Sequence, residues 1–190
     1  MPDRPSGDGS TGIESRIPPG TAVFITIAVF VAAVQELRPE WVGLAERDPE
    51  RFAAGEWWRV ITALFAYDDG AVQKLSVVFG ALALGLIAER RLGSAEWLIV
   101  AFVSGLAGQI VGVWWQPYGA GSSVAVAGLA GATATWLAWP KTPVPWFVRI
   151  GPVIVLALAI VLLVRRDLHG PPVFVGAGLA ALLLFRRRSG

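Results

Sequence analysis

Six stretches of the chain are continuously apolar: residues 21–37, 71–88, 97–115, 121–139, 146–164 and 172–185. Their hydrophobic positions do not alternate every second residue, so they predict spanning helices rather than the strands of a β-barrel. Turn or charge signals separate them: Glu89-Arg90-Arg91-Leu92-Gly93, Gln116-Pro117-Tyr118-Gly119, Pro140-Lys141-Thr142-Pro143 and Arg165-Arg166-Asp167. Tryptophans stand at the ends of the third, fourth and fifth stretches, where an indole suits the membrane interface. The expected fold is all-α: a polytopic membrane protein whose six transmembrane helices bundle into one domain, residues 21–186.

The remaining segments are polar. Residues 1–20, rich in Pro, Gly, Ser and Asp, have no apolar face to bury and read as a disordered tail. They do not read as a cleaved signal peptide, because no small-residue cleavage site follows the first apolar run. That first span is short, and a turn at Pro18-Pro19 would lengthen it. Residues 38–70 interleave charges with Trp41, Phe52, Trp57, Trp58 and Phe65, the pattern of a loop lying in the headgroup plane. Asp68-Asp69-Gly70 is a turn or cap before the second span, and residues 187–190 form a basic tail.

An even number of spans places both termini on one side. Arg4, Arg16, Arg90, Arg91, Lys141, Arg149 and Arg186-Arg187-Arg188 then share that side. The basic residues opposite lie largely in the long loop, mixed with acids. The bias predicts cytoplasmic termini.

Composition narrows the chemistry. The chain is 55% hydrophobic and 16% charged, with a mean hydropathy of +0.60, values that belong to a membrane protein. With no Cys and one His, disulfides, thiolate chemistry and His-based metal clusters are excluded, and no cofactor is implied. The pI of about 9.5 is a topology signal, not a nucleic-acid one. Arg outnumbers Lys 14 to 2 and Ala, Val and Gly abound, as in a GC-rich bacterial gene. No span interior carries a charge, which argues against an ion or proton pathway in a scaffold or transport subunit.

Two polar residues then stand out. Ser123 opens the fourth span within Gly121-Ser122-Ser123-Val124, and His169 precedes the sixth. Ser123, Ala127 and Gly131 share one helical face; His169, Val173, Gly176 and Ala180 share another. Two small-residue faces allow close approach, which would bring a hydroxyl to an imidazole that serves as general base and acid. Taken singly, each residue has a plainer reading. Ser123 could bond the carbonyl one turn back, and His169 could be an interfacial residue at a helix start. Asp167 could orient the imidazole, but pairing with Arg165 or Arg166 is the expectation. Gly108-x3-Gly112 reads as a span-packing motif.

The order of motifs resembles a known family. Gly55-Glu56-Trp57-Trp58-Arg59-Val60-Ile61-Thr62 is similar to the Trp-Arg…Thr segment in the first loop of rhomboid intramembrane proteases. Gly85…Glu89…Leu92-Gly93-Ser94 resembles the family's second-span ending. The family's Gly-x-Ser-Gly motif falls on Gly121 to Val124, its trailing small residues on Ala127, Gly128 and Gly131, and its final His-x6-Gly on His169 and Gly176. The likeness covers residues 21–185 and implies a six-span rhomboid-like bundle in a bacterial inner membrane. It implies a Ser-His dyad, with Ser123 as nucleophile and His169 as base and acid, and no cofactor. Its partners would be the bilayer and the transmembrane segments of other proteins, not nucleic acid; the oligomeric state is not indicated.

The departures cluster around the oxyanion site. Val124 stands where the family has Gly and is expected to crowd the turn. The family draws oxyanion donors from His and Asn at the start of the second span, and Gln73-Lys74-Leu75-Ser76-Val77 contains neither. Gln73 or Ser76 would donate instead, with backbone around Gly121 and Ser122 in support. Ala127 replaces a usual aromatic, and Pro171-Pro172 replaces small residues. These departures leave a second expectation: a rhomboid-like pseudoprotease that binds transmembrane segments without cutting them.

Overall fold

The computed structural model describes residues 17–68, 70–139 and 145–189, the Phe147 side chain excepted. Asp69 and Lys141 therefore lie outside the described residues, as does most of the expected N-terminal tail. Among the described residues the regular structure is entirely helical. Long helices α1 (Pro19–Leu37), α5 (Ala71–Leu92), α6 (Ser94–Trp115), α7 (Ser123–Ala138), α8 (Trp146–Val164) and α9 (Gly170–Ser189) correspond to the six apolar stretches. Short helices α2 (Trp41–Ala45), α3 (Pro49–Ala53) and α4 (Arg59–Thr62) occupy the loop after α1. Helices α1, α5 and α6 are long and apolar enough to cross a membrane unaided by any neighbour's span.

Helix boundaries depart from the hydropathy runs for identifiable reasons. Helix α1 begins at Pro19, where proline's fixed φ suits a first turn. Helix α5 runs through Glu89, Arg90 and Arg91, expected as a turn, and stops at Gly93, whose φ of +89° ends it. Helix α9 continues through Arg186, Arg187 and Arg188, so Arg187 and Arg188 are helical rather than a tail. Gly121 and Ser122, expected inside the fourth span, lie just before α7.

Glu89 ties three elements together. Its carboxylate accepts from the N–H groups of Gly20 at 2.7 Å and Thr21 at 2.6 Å, from the Thr21 hydroxyl at 2.7 Å, and from Ser94 at 2.6 Å. It thereby caps α1, whose first N–H groups have no partner within the helix, and anchors the start of α6. Gly85 leaves room for the Thr21 side chain, one turn away on the same face.

Helix α7 is the centre of the bundle. It packs most extensively on α9, then on α6, with α5 and α8 also against it. Its 16 residues rise about 24 Å, less than the ~30 Å hydrocarbon core. It is therefore shorter than its 22-residue neighbours α5 and α6. Helix α8 is the opposite case. Val153, Ile154, Leu158, Ile160 and Val161 are exposed, a lipid-facing surface.

The α7–α9 contact is backbone on backbone. A Cβ added at Gly176 would overlap the Gly128 carbonyl oxygen, and one at Gly131 would overlap the Val173 carbonyl. Gly128 also faces Ser104 of α6, so three helices converge there. Association within lipid relies on such close packing. Gly176→Ala is expected to push the helices apart and destabilise the fold by about 1–3 kcal/mol. Gly178→Ala, with nothing within 4 Å of the added methyl, should be neutral or stabilising by about 0.5–1 kcal/mol. Thermal unfolding of the two variants in detergent checks both.

Candidate active site

Residues 116–122 carry the chain from α6 to α7, with Gly119 to Ser122 buried. Irregular backbone survives there only when protein groups satisfy it, and four contacts do so. The Gly121 N–H donates to the Ala63 carbonyl at 2.8 Å. Gln109 Nε2 donates to the Gly121 carbonyl at 2.8 Å. The Ala120 N–H donates to Asp68 at 2.9 Å, and Gln73 Nε2 donates to the Ala120 carbonyl at 3.1 Å. Gly121 has a φ of +147°, and a Cβ there would meet Gln73 Nε2 at 2.9 Å and Ser123 Oγ at 3.3 Å. Only glycine accommodates both the angle and the crowding.

A buried guanidinium braces this loop. Arg47 donates to Gln109 Oε1 and, at 3.2 Å, to the Gln116 carbonyl; its own N–H pairs with the Gly119 carbonyl at 2.9 Å. Burial lowers the pKa of Arg47, while Asp68 and Glu46 oppose that shift. Gly112 exists to admit this side chain, since a Cβ there would lie 2.8 Å from Arg47 Nε. Gly108, by contrast, packs against Val124 and Pro172. The Gly108-x3-Gly112 pair is thus only half a span-packing motif.

The Trp-Arg…Thr segment holds the preceding loop in place. Arg59 donates to Glu56 at 2.6 Å and to the carbonyls of Gly43 and Glu46 at 3.1 Å. Thr62 donates to the Ala45 carbonyl at 2.9 Å. These bonds fasten α4 to the chain around α2, and Ala63 then receives Gly121.

Ser123 and His169 meet across the α7–α9 contact. His169 Nε2 lies 2.9 Å from Ser123 Oγ. Its Nδ1 lies 2.7 Å from Asp167 Oδ1, which also accepts the His169 backbone N–H at 2.9 Å. Asp167 therefore faces His169, not Arg165 or Arg166 as expected from adjacency. The end of α8 explains why. The Arg166 N–H donates to Leu163 and the Asp167 N–H to Leu162, the paired bonds of a Schellman motif. Arg166, at φ +55°, occupies the left-handed position that usually takes glycine. This turn swings the Asp167 carboxylate under the imidazole.

The other predicted residues fall into place around the pair. Ser122 is buried and its hydroxyl lies 3.1 Å from the Tyr67 hydroxyl, away from His169. Burial pushes the Tyr67 pKa up, and its bond to Ser122 partly offsets this. Gln73 sits beside Gly121 but donates to Asp68 at 3.0 Å as well as to Ala120. Ser76 turns its hydroxyl back to the Gln73 carbonyl at 2.8 Å. Val124 does not crowd the Ser123 turn. It is fully buried and packs with Leu64 and Leu168. Pro172 is likewise buried, in the first turn of α9 where proline costs little. Sequence reading missed Arg47 and Gln109, the latter a polar residue inside a span whose depth alone was a signal.

A family model of the Rhomboid domain matches residues 54–183. The chain belongs to the rhomboid family and is a multi-pass membrane protein. It is 29% identical over 125 residues to a protein named Rhomboid protease GluP from Bacillus subtilis (strain 168), a match covering 60% of this chain. The chain corresponds to 24% of that relative's length.

Asp167 gives a pH prediction. Burial would raise its pKa, but the bonds from His169 and from the Gln116 side chain outweigh burial and hold it below the usual carboxylate value. A depressed folded-state pKa contributes stability above the unfolded value of ~3.9, and that contribution disappears as pH falls through the folded value. Thermal stability is expected to hold from pH 7 to about pH 5 and fall below about pH 4. Asp167→Asn should show a shallower acid fall in the same melting series.

Proposed function

We propose that this chain is a serine-type intramembrane protease in which Ser123 attacks the scissile carbonyl and His169 carries the proton. The observation that supports this reading is the line Ser123 Oγ, His169 Nε2, His169 Nδ1, Asp167 Oδ1, with separations of 2.9 Å and 2.7 Å at its two ends. An ionised carboxylate can only accept. The neutral imidazole therefore keeps its proton on Nδ1 and leaves Nε2 to take the serine proton, later delivered to the leaving amine. Asp167 is a positioning residue in this scheme. It sets the tautomer and does not touch substrate.

Charge developing on the carbonyl oxygen needs donors. Ser122 makes no side-chain cap on α7, and the Ala125 and Val126 N–H groups donate to the Ser122 carbonyl, so the Ser123 and Val124 N–H groups are the backbone donors proposed at its positive end. Gln73, close to Gly121, is the side chain best placed to assist. Ser123 and the His169 ring are both partly exposed, as hydrolysis of an acyl-enzyme requires. Substrates are transmembrane segments that reach Ser123 laterally and unwind near small or helix-breaking residues. The chain would reside in a bacterial inner membrane with cytoplasmic termini.

The competing reading is a pseudoprotease. One observation favours it: the Gln73 amide already donates to both Asp68 and Ala120, where the resemblance leads one to expect His and Asn. Losing one oxyanion donor typically costs ~10²–10³ in rate, which slows chemistry without abolishing it.

A fluorophosphonate probe separates the two. Wild type is expected to label, with labelling abolished in Ser123→Ala and retained in Ser122→Ala. An unlabelled wild type across pH 6–9 would sink the protease reading. Asp167→Asn should slow labelling by about 10²-fold, less than the ~10⁴ known for a fully buried triad carboxylate, because Asp167 is 30% exposed. Asp167→Glu should recover part of that loss in the same rate measurement.

A further inference from the structure

At the end of the bundle away from Ser123, the C-terminal ends of α5, α7 and α9 surround a pocket of about 230 Å³. Arg90, Arg91, Arg187 and Arg188 line it together with Trp136 and Trp139. The axis of α7 separates it from Ser123 by about 24 Å, so it plays no part in the chemistry proposed there. Its geometry is organised. The Arg91 guanidinium lies 4.3 Å above the Trp136 ring centroid, a cation–π stack that presents the planar charge to the pocket. Arg187 bridges α9 to the C-terminal end of α5, donating to the carbonyls of Arg91 at 2.8 Å and Leu92 at 2.5 Å.

Charge is far from balanced. Among the described residues, Glu96 lies 2.5 Å from Arg187. Glu89, nearby in sequence, faces instead the start of α1 and Ser94. Among the described residues, Arg91, Arg187 and Arg188 against the Glu96 carboxylate leave a cationic surface that attracts an anion.

A second feature says what kind of anion. The pocket adjoins an apolar groove of about 170 Å³ between α7 and α9, lined by Thr135, Ala181 and Phe185, and the two share Trp139, Leu184 and Arg188. A basic pocket at helix ends, flanked by tryptophans and continuous with a lipid-facing groove, matches a molecule with an anionic phosphodiester and a hydrocarbon chain. We propose that this is a binding site for an anionic phospholipid, its phosphate held by Arg91 and Arg188 and one acyl chain laid along Ala181 and Phe185.

Native mass spectrometry of the purified full chain, offered phosphatidylglycerol and phosphatidylcholine with matched acyl chains, tests the site. Wild type should retain phosphatidylglycerol preferentially, and Arg91→Gln/Arg188→Gln should weaken that preference on the order of tenfold. Ala181→Leu, which fills the groove and leaves every arginine, should also reduce retention. The charge-matched Arg149→Gln/Arg186→Gln pair lies outside the pocket and should retain lipid like wild type. Equal retention of both lipids, or equal loss in the two double variants, would overturn the proposal. So would displacement by glycerol 3-phosphate with no effect of Ala181→Leu, the signature of a free-phosphate site. Ser123→Ala should bind lipid like wild type, so the outcome is independent of the protease reading.

Discussion

The near-contact of the α7 and α9 backbones governs the rest of the molecule. Gly128, Gly131 and Gly176 remove the side chains that would hold these helices apart, and dispersion between close backbones replaces a hydrophobic drive that lipid cannot supply. Ser123 opens α7, and His169 immediately precedes α9. Their separation is therefore set by a helix–helix distance, not by a flexible loop. Any residue that widens the interface moves the hydroxyl and the imidazole apart.

A short central helix creates the second constraint. The chain leading into α7 runs irregularly and is buried from Gly119 to Ser122, where water does not satisfy backbone groups. Arg47, Gln109, Asp68 and Gln73 answer that need with hydrogen bonds to Gly119, Ala120 and Gly121. Burying a guanidinium is costly unless its donors find partners; Gln109 and the Gln116 carbonyl serve Nη1 and Nη2, while the buried Nε has no hydrogen-bond partner among the described residues. The loop thus holds Ser123 in place while leaving the first N–H groups of α7 without a side-chain cap. Structural satisfaction and chemical readiness come from different groups on neighbouring residues.

Some of this was legible along the chain. Continuous apolar runs located the six long helices, and the small residues after Ser123 and His169 marked the faces that meet. Helix ends were less legible. Arg90, Arg91 and Arg186 to Arg188 read as breaks, but a helix whose end reaches the headgroup layer accommodates arginines at its C-terminus. Asp167 was misread because adjacency in sequence favours Arg165 and Arg166. The Schellman turn at Arg166 redirects the carboxylate, and that turn has no glycine to announce it. Val124, expected to crowd the serine, instead packs with Leu64 and Leu168.

The sequence by itself determined the membrane class, the number of long helices and the residue types from which a Ser-His pair could be built. It did so because hydropathy and small-residue spacing are local properties. Only the tertiary structure decided how closely Ser123 approaches the imidazole, that Asp167 faces Nδ1, and that Arg47 and Gln109 brace the loop between α6 and α7. The Ser123–His169 and Arg47–Gln109 contacts join residues 46 and 62 apart in the chain. Such contacts are set by how closely helices can approach, and no local pattern encodes that distance.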